Sequence, residues 1–479
     1  MPYQIKDRFG MTLSTGSPRA AERWQEGVDR LLSQNHGPDL KFREAIELDE
    51  GFALAHSSLA FWLQQRARPD EAKASSQQAL TLASGVTRRE SQQIRAIDLW
   101  INGKGRDSIA LIKEHLDEFH RDGLLMRLAH RLYMLGCSGA GSPDFPPEYL
   151  GLLQRVERYC IDDWAFLAEY AFAHHETGQL NKAFDLAQRS LDINSTNAVA
   201  SHSMTHVHFE RGDAASGEAF LGSWLQGFDA PATSYVHLSW HLALFELAQG
   251  KYQETLDRYD NYIRPSVIAR SMSALNDSSS LMWRWQMYTG NAPPKPWEEV
   301  LEIAAPAAER PGAAFRDAHA ALAFAGGGNA EAMGRLTSRL RKAAEGGNAF
   351  AREVVLPLVL GIDAFGQGNY TQAVRLLEPV FPRLVRIGGS HAQREVFEDT
   401  LLEAYIRAER FDQAEAMLRR RLAQRESVRD TFWLGRVQRA KGQTLEAKGS
   451  FNHARKRWQR GNADAPELGN LNRLLSAVE

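Results

Sequence analysis

One phrase recurs along this chain and limits what it can become. An apolar helical pattern ends at glycine, a short turn follows, and a second helical pattern opens near an alanine. It reads EYAFAHHETGQLNKAFDLAQRSLDIN at 169–194, LFELAQGKYQETLDRYDNYIRP at 244–265, LVLGIDAFGQGNYTQAVRLLEPV at 358–380 and, most clearly, WLGRVQRAKGQTLEAKGSFNHARKRW at 433–458. A chain of 479 residues exceeds what one hydrophobic core organises, so it must divide into domains or stack repeats. The recurrence selects stacking, because a helix pair cannot bury its own apolar face and needs a neighbour to cover it. Alternating β-branched runs are few and Ala, Leu, Glu, Gln and Arg dominate at helical spacing, so the expected class is all-α.

The copies resemble the tetratricopeptide repeat: a large apolar residue, a small one at the helix–helix contact, glycine in the turn, alanine at the next close contact and an aromatic or leucine one turn on. In the last copy these are Leu434, Gly435, Gly442, Ala447, Phe451 and Ala454, and the turn glycines Gly178 and Gly212 stand one repeat apart. The expected architecture is a right-handed α-solenoid of tetratricopeptide-like helix-turn-helix repeats with a concave groove. Three segments with soft boundaries describe it: 1–140, a His-rich centre at 141–290, and 291–479. The breaks GSPDFPP at 141–147, NAPPKP at 291–296 and GGGN at 326–329 read as inter-helix loops.

Charge excludes several partners. The 57 basic and 59 acidic residues leave a net charge of -2, so no global basic field attracts nucleic acid or anionic lipid. Arg419, Arg420, Arg421, Arg455, Lys456, Arg457 and Arg460 accumulate near the C-terminus, interspersed with Glu415, Glu426 and Glu446, and read as a solvated helix face. The longest apolar run, VVLPLVLGIDAF, is broken by Pro357 and too short to span a bilayer. Two cysteines, Cys137 and Cys160, make no disulfide framework, and MPYQIKDRFG lacks a signal-peptide core; the expected address is the cytoplasm. Nucleotide loops, nucleophile elbows and dinucleotide fingerprints are absent.

The densest chemistry is SHSMTHVHFERGD at 201–213. Groove-facing side chains in tetratricopeptide repeats come mainly from repeat positions 2, 5, 9, 12 and 13, which the resemblance supplies. With Gly212 as the turn glycine, His202, His206 and Glu210 face the groove, and the spacing of four stacks the two histidines on one side of the helix. The same register aims His175 and Glu176 there from the preceding repeat, and His237 and Trp240 from the following one. His174 and His208 take a position that is usually a buried tyrosine and read as core. His241 pairs with His237 at a spacing of four, so two helical pairs could converge on one metal, although neither HSMTH nor HLSWH carries the glutamate of a zincin-type protease.

Together with TRRE at 87–90, SHSMTHVH at 201–208, HLSWHLAL at 237–244, WRWQM at 283–287, RDAHA at 316–320 and GGSHAQREVF at 388–397, these stretches resemble the tetratricopeptide repeat protein 38 family from about Thr12 to Ala408. The family pattern carries over to His202, His206, His208, His237, Trp240, His241, Asp317, His319, Gln393 and Arg394. Two positions depart from it: Phe209 stands where an acidic residue is expected, and His391 where an asparagine is. Glu210 could replace the missing carboxylate. The resemblance implies where to look and supplies no reaction. TRRE also has a purely structural account, with Thr87 as helix cap and Glu90 completing a capping box.

Two functions follow as expectations. The first is a solenoid that binds a peptide or small ligand in a His/Trp-lined groove through His175, His202, His206, His237, Trp240, Gln393 and Arg394. The alternative is a metal-dependent hydrolase in which His202, His206, His237 and His241 hold zinc or another divalent cation, with Glu176, Glu210 or Asp317 as ligand or general base. Neither involves nucleic acid or membrane, and nothing in the pattern fixes the oligomeric state.

Overall fold

The computed structural model describes residues 5–232, 234–271, 273–295, 297–463 and 465–476. Pro296, the last residue of the NAPPKP break, lies outside them. Within the described residues the chain is an all-α solenoid: 27 α-helices follow one another, and the one extended feature is an isolated bridge between Lys6 and Thr12. No helix among them is long and apolar enough to cross a membrane.

The recurring phrase becomes a helical hairpin for a local reason. In the pair Ala198–Glu210 and Ala214–Gln226, Gly212 adopts φ +69°, a left-handed conformation open to glycine at no cost from a Cβ. Its N–H bonds the Phe209 carbonyl at 3.0 Å and Asp213 N–H bonds His208 at 3.0 Å, so the last carbonyls of the first helix are satisfied. Asp213 then caps the second helix through Ser216 N–H. In the last copy, a Cβ on Gly435 would lie 2.5 Å from the Phe451 ring, which explains why the repeat pairs a small residue with an aromatic.

Two compact units emerge, residues 1–204 with 228–235, and residues 205–227 with 236–479. In the first, Thr87 and Glu90 form the expected capping box. Arg89, in the same phrase, is buried between Asp7 and Asp122, at 3.2 and 2.8 Å. A second buried group joins Arg127, His130 and Tyr149 on Glu169. Arg127 and His130 hold that carboxyl down near 2 against the opposing effect of burial.

In the second unit the C-terminal helices return to the turns that begin it. Trp458 Nε1 donates to the Ala248 carbonyl at 3.2 Å, and Asn462 Nδ2 to the Gly250 carbonyl at 2.8 Å. A Cβ on Gly212 would overlap the Glu426 carbonyl oxygen, so glycine is required there by contact as well as by φ. Tyr252 OH meets Glu467 and Arg429. These contacts join positions 177 to 215 residues apart and form a chamber inside the unit.

Candidate functional site

The helices Ser234–Ala248 and Ala198–Glu210 bring His206, His237, Trp240 and His241 into a ring-on-ring row. His206 and His241 lie 4.6 Å apart at 74°, His241 and His237 4.7 Å apart at 77°, and His237 stacks on Trp240 at 5.3 Å. His237 Nδ1 donates to Asp277 at 3.0 Å, which fixes the orientation of the ring. Trp240 was expected to offer an open flat wall; it is buried, with Nε1 donating to Ser280 Oγ at 3.1 Å. The burial of two histidines also runs against the register argument, since His206 is fully enclosed while His208 is half-exposed and reaches the chamber. Because the unit closes on itself, a side chain that faces inward is no longer one that faces solvent.

In the first unit, His175 Nε2 pairs with Glu176 at 3.1 Å, and the half-buried His202 stacks on Phe172 with centroids 5.9 Å apart. His174 is buried as expected, its imidazole pushed down to about 4 by burial and by Lys182.

The remaining expected residues have local partners. Ser390 caps the helix His391–Arg407 and exchanges bonds with Gln393 in a capping box, while Arg394 reaches back to the Gly389 carbonyl. Asp317 accepts from Gly312 N–H at 2.7 Å and from Arg316, and burial pushes its carboxyl up. His319 Nδ1 donates to the Phe315 carbonyl at 2.8 Å, and burial pushes the ring down to about 3. The two departures from the family pattern find partners. Glu210 accepts from His391 Nδ1 at 2.8 Å, and Phe209 lies under the Arg425 guanidinium at 4.4 Å.

The chamber has a volume of about 330 Å³. Its apolar wall includes Phe209, Leu244, Leu247 and Val428, and its polar wall carries six arginines and five carboxylates. At the centre of that wall stands Arg421. It donates to Asp399 at 2.8 Å, Asp430 at 2.9 Å and Glu395 at 3.1 Å, so the expectation of a solvated arginine face is corrected at this one side chain, buried in a carboxylate cage, while Arg419, Arg420, Lys456 and Arg460 are exposed. Burial raises the Asp430 carboxyl to about 6 despite Arg421, because Asp399 and Glu395 add their repulsion. Burial works on Glu395 too, but Arg425 and Arg421 outweigh it and hold that carboxyl near 2. Tyr288 OH donates to Asp399 at 2.7 Å, with Arg429 over its ring at 4.3 Å.

Sequence reasoning passed over Asp277, Arg284, Arg425 and Arg429. Arg284 sat inside WRWQM, quoted for resemblance but not for its charge, and the spacing of four between Arg421, Arg425 and Arg429 was the available signal. Asp277 had none, since its partner His237 lies forty positions away.

No family model matches the chain. Among solved structures it is similar to a tetratricopeptide repeat protein from Parabacteroides merdae, at 12% identity with a TM-score of 0.29, over 65% of this chain and 98% of that one.

Proposed function

We propose that this chain is a binding protein built of tetratricopeptide-like repeats, a divergent relative of the tetratricopeptide repeat protein 38 family, and that it takes a small ligand or a peptide end into the chamber of the second unit. The observation that carries this reading is the chamber itself: 330 Å³ lined by elements distant in sequence, with an apolar side and a dense polar side. In this reading the ligand contacts pass from the expected groove residues to the chamber wall, including His208. His206, His237 and Trp240 support the helix behind it, and Gln393 and Arg394 brace the turn at Ser390. The few cysteines, both free, support a reducing compartment such as the cytoplasm.

Ligand-observed NMR against a fragment set that includes short peptides tests the reading, with Ala248→Trp as control. Ala248 is exposed and lines the chamber, and an indole there would take up part of its space. Hits that bind wild type and are lost in A248W, with helicity unchanged, are the expected result. Binding that ignores A248W sinks the proposal.

A second reading has its own support in the bond from His237 to Asp277. Metal-bound imidazoles characteristically donate their other nitrogen to a carboxylate, and His206, His241 and His237 follow one another at ring contact. In that reading His206 and His241, whose ligand nitrogens lie within 4.8 Å of each other, hold zinc or another divalent cation for hydrolysis. Glu210 and Asp317, engaged by His391 and Gly312, are poor candidates for its general base. Elemental analysis of untagged protein decides it: near-stoichiometric metal that disappears in His206→Ala/His241→Ala supports the site, and metal-free wild type removes it.

A further inference from the structure

This inference rests on the chamber reading and names the chemistry of the ligand. A guanidinium stays protonated in a protein, so a buried one must find its counter-charge nearby. Arg421 does so three times over. Arg284, on the same wall, does not: it is 2% exposed, and its Nη2 donates to the Ala392 carbonyl at 2.9 Å. Its Nη1 is buried without a hydrogen-bond partner, and among the described residues no carboxylate lies within ion-pair distance of it. Arg425 and Arg429 each spend one arm on a carboxylate, Glu395 and Glu467 respectively, and each keeps a buried Nη1 with no partner. All three arginines line the chamber. Opposite in character, Asp430 Oδ1 is buried there with no donor.

We propose that the chamber binds a small organic oxyanion, a carboxylate or phosphate ester on an apolar body, with Arg284 supplying the counter-charge and Arg425 and Arg429 further donors. Glu395 offsets the charge of Arg284 only through space and leaves its Nη1 without an acceptor, and a planar fork matches an oxyanion's geometry. The apolar body lies against Phe209, Leu244 and Leu247. A hydroxyl or amine on the ligand finds its acceptor in Asp430. Keeping a buried guanidinium with no carboxylate in direct contact costs stability in the empty protein, which makes the role of Arg284 separable from a structural one.

The experiment is calorimetric titration of the full chain with benzoate, phenyl phosphate and neutral benzyl alcohol, in wild type, Arg284→Met and Ala248→Trp. The expected result is that at least one anion binds wild type, that benzyl alcohol binds more weakly, and that Arg284→Met lowers anion affinity about 100-fold or more. The midpoint of thermal unfolding of that variant should equal or exceed that of wild type, because methionine replaces a charge without leaving a void. Benzoate against phenyl phosphate tells which oxyanion is preferred. Anions that bind no better than benzyl alcohol, or that bind Arg284→Met unchanged, overturn the inference. Failure of all anions also overturns it, while neutral fragments lost in A248W would leave the chamber reading standing. A clear drop in the Arg284→Met melting temperature would assign Arg284 to structure and likewise overturn it.

Discussion

The histidine row and the arginine chamber lie in the same unit and handle charge in opposite ways. Along the row, rings meet rings: His206, His241 and His237 pack edge to face, His237 stacks on Trp240, and one carboxylate, Asp277, serves the end of the line. Imidazoles can be neutral, so such a row can be buried without a counter-ion. Around the chamber no such escape exists for the arginines, and each charge must be met by another. The carboxylates crowd on Arg421, and Arg284 has none in direct contact, Glu395 reaching it only through space. The lesson is that burial alone does not identify a binding wall; unequal compensation among buried charges does.

The largest expected effect breaks that inequality from its well-compensated side. Arg421→Met removes the one cation shared by Asp399, Asp430 and Glu395, leaving three buried carboxylates in mutual repulsion. Breaking a buried pair in this way costs about 3–5 kcal/mol, so urea unfolding of this variant should shift strongly toward lower denaturant while Arg284→Met stays near wild type. Equal losses for the two arginines would erase the distinction between them.

The next effect has the opposite sign. Asp430 has a folded carboxyl pKa of about 6 against 3.8 unfolded, so its contribution is fully present below 3.8 and is lost as pH rises through 6. Above that, the ionised group opposes folding by at most about 3 kcal/mol at 1.36 kcal/mol per unit. Asp430→Asn should therefore match wild type near pH 4 and become the more stable of the two as pH passes 6. Paired melts across that range check it; a gap independent of pH would mean the carboxylate is not under strain from its neighbours.

On the row, Asp277→Asn keeps an acceptor for His237 but removes its charge. A charge-assisted bond is roughly twice as strong as a neutral one, so the loss is about 1 kcal/mol, small beside Arg421→Met. A loss as large as that of Arg421→Met would place the row among the strongly charged sites and favour its metal reading.

Much of the fold was legible because it is written in short-range terms. Gly178, Gly212 and Gly442 mark turns whose φ only glycine adopts freely, and pairs such as Gly435 with Phe451 announce the helix contact within one repeat. The chamber was not legible, since its wall is assembled from residues near 210, 245, 284, 395, 425 and 460 by contacts that no repeat pattern encodes. The burial of His206 and the half-exposure of His208 were not legible for the same reason: register gives a face of a helix, while closure decides what that face meets. Even the departures at Phe209 and His391 make sense only in three dimensions, where Phe209 supports Arg425 and His391 answers Glu210.

That last pair yields the smallest and most selective prediction. His391 is half-exposed; burial works against its charge, but Glu210, then Glu398 and Glu395, raise the imidazole to about 9 from 6.5. A pKa raised on folding means stability that is complete below pH 6.5 and is lost as pH climbs through 9. His319, lowered to about 3 by burial, does the reverse and loses its contribution as pH falls from 6.5. Melting temperature should therefore decline on the alkaline side in wild type, and His391→Gln should flatten that decline while leaving the acid side unchanged. Because solvent and salt reach His391, the difference should shrink at high ionic strength, whereas the gap set by the enclosed Asp430 should persist. Salt that abolished both effects equally would mean the chamber is as open to solvent as the surface, and the contrast between a screened pair and a sheltered network would fail with it.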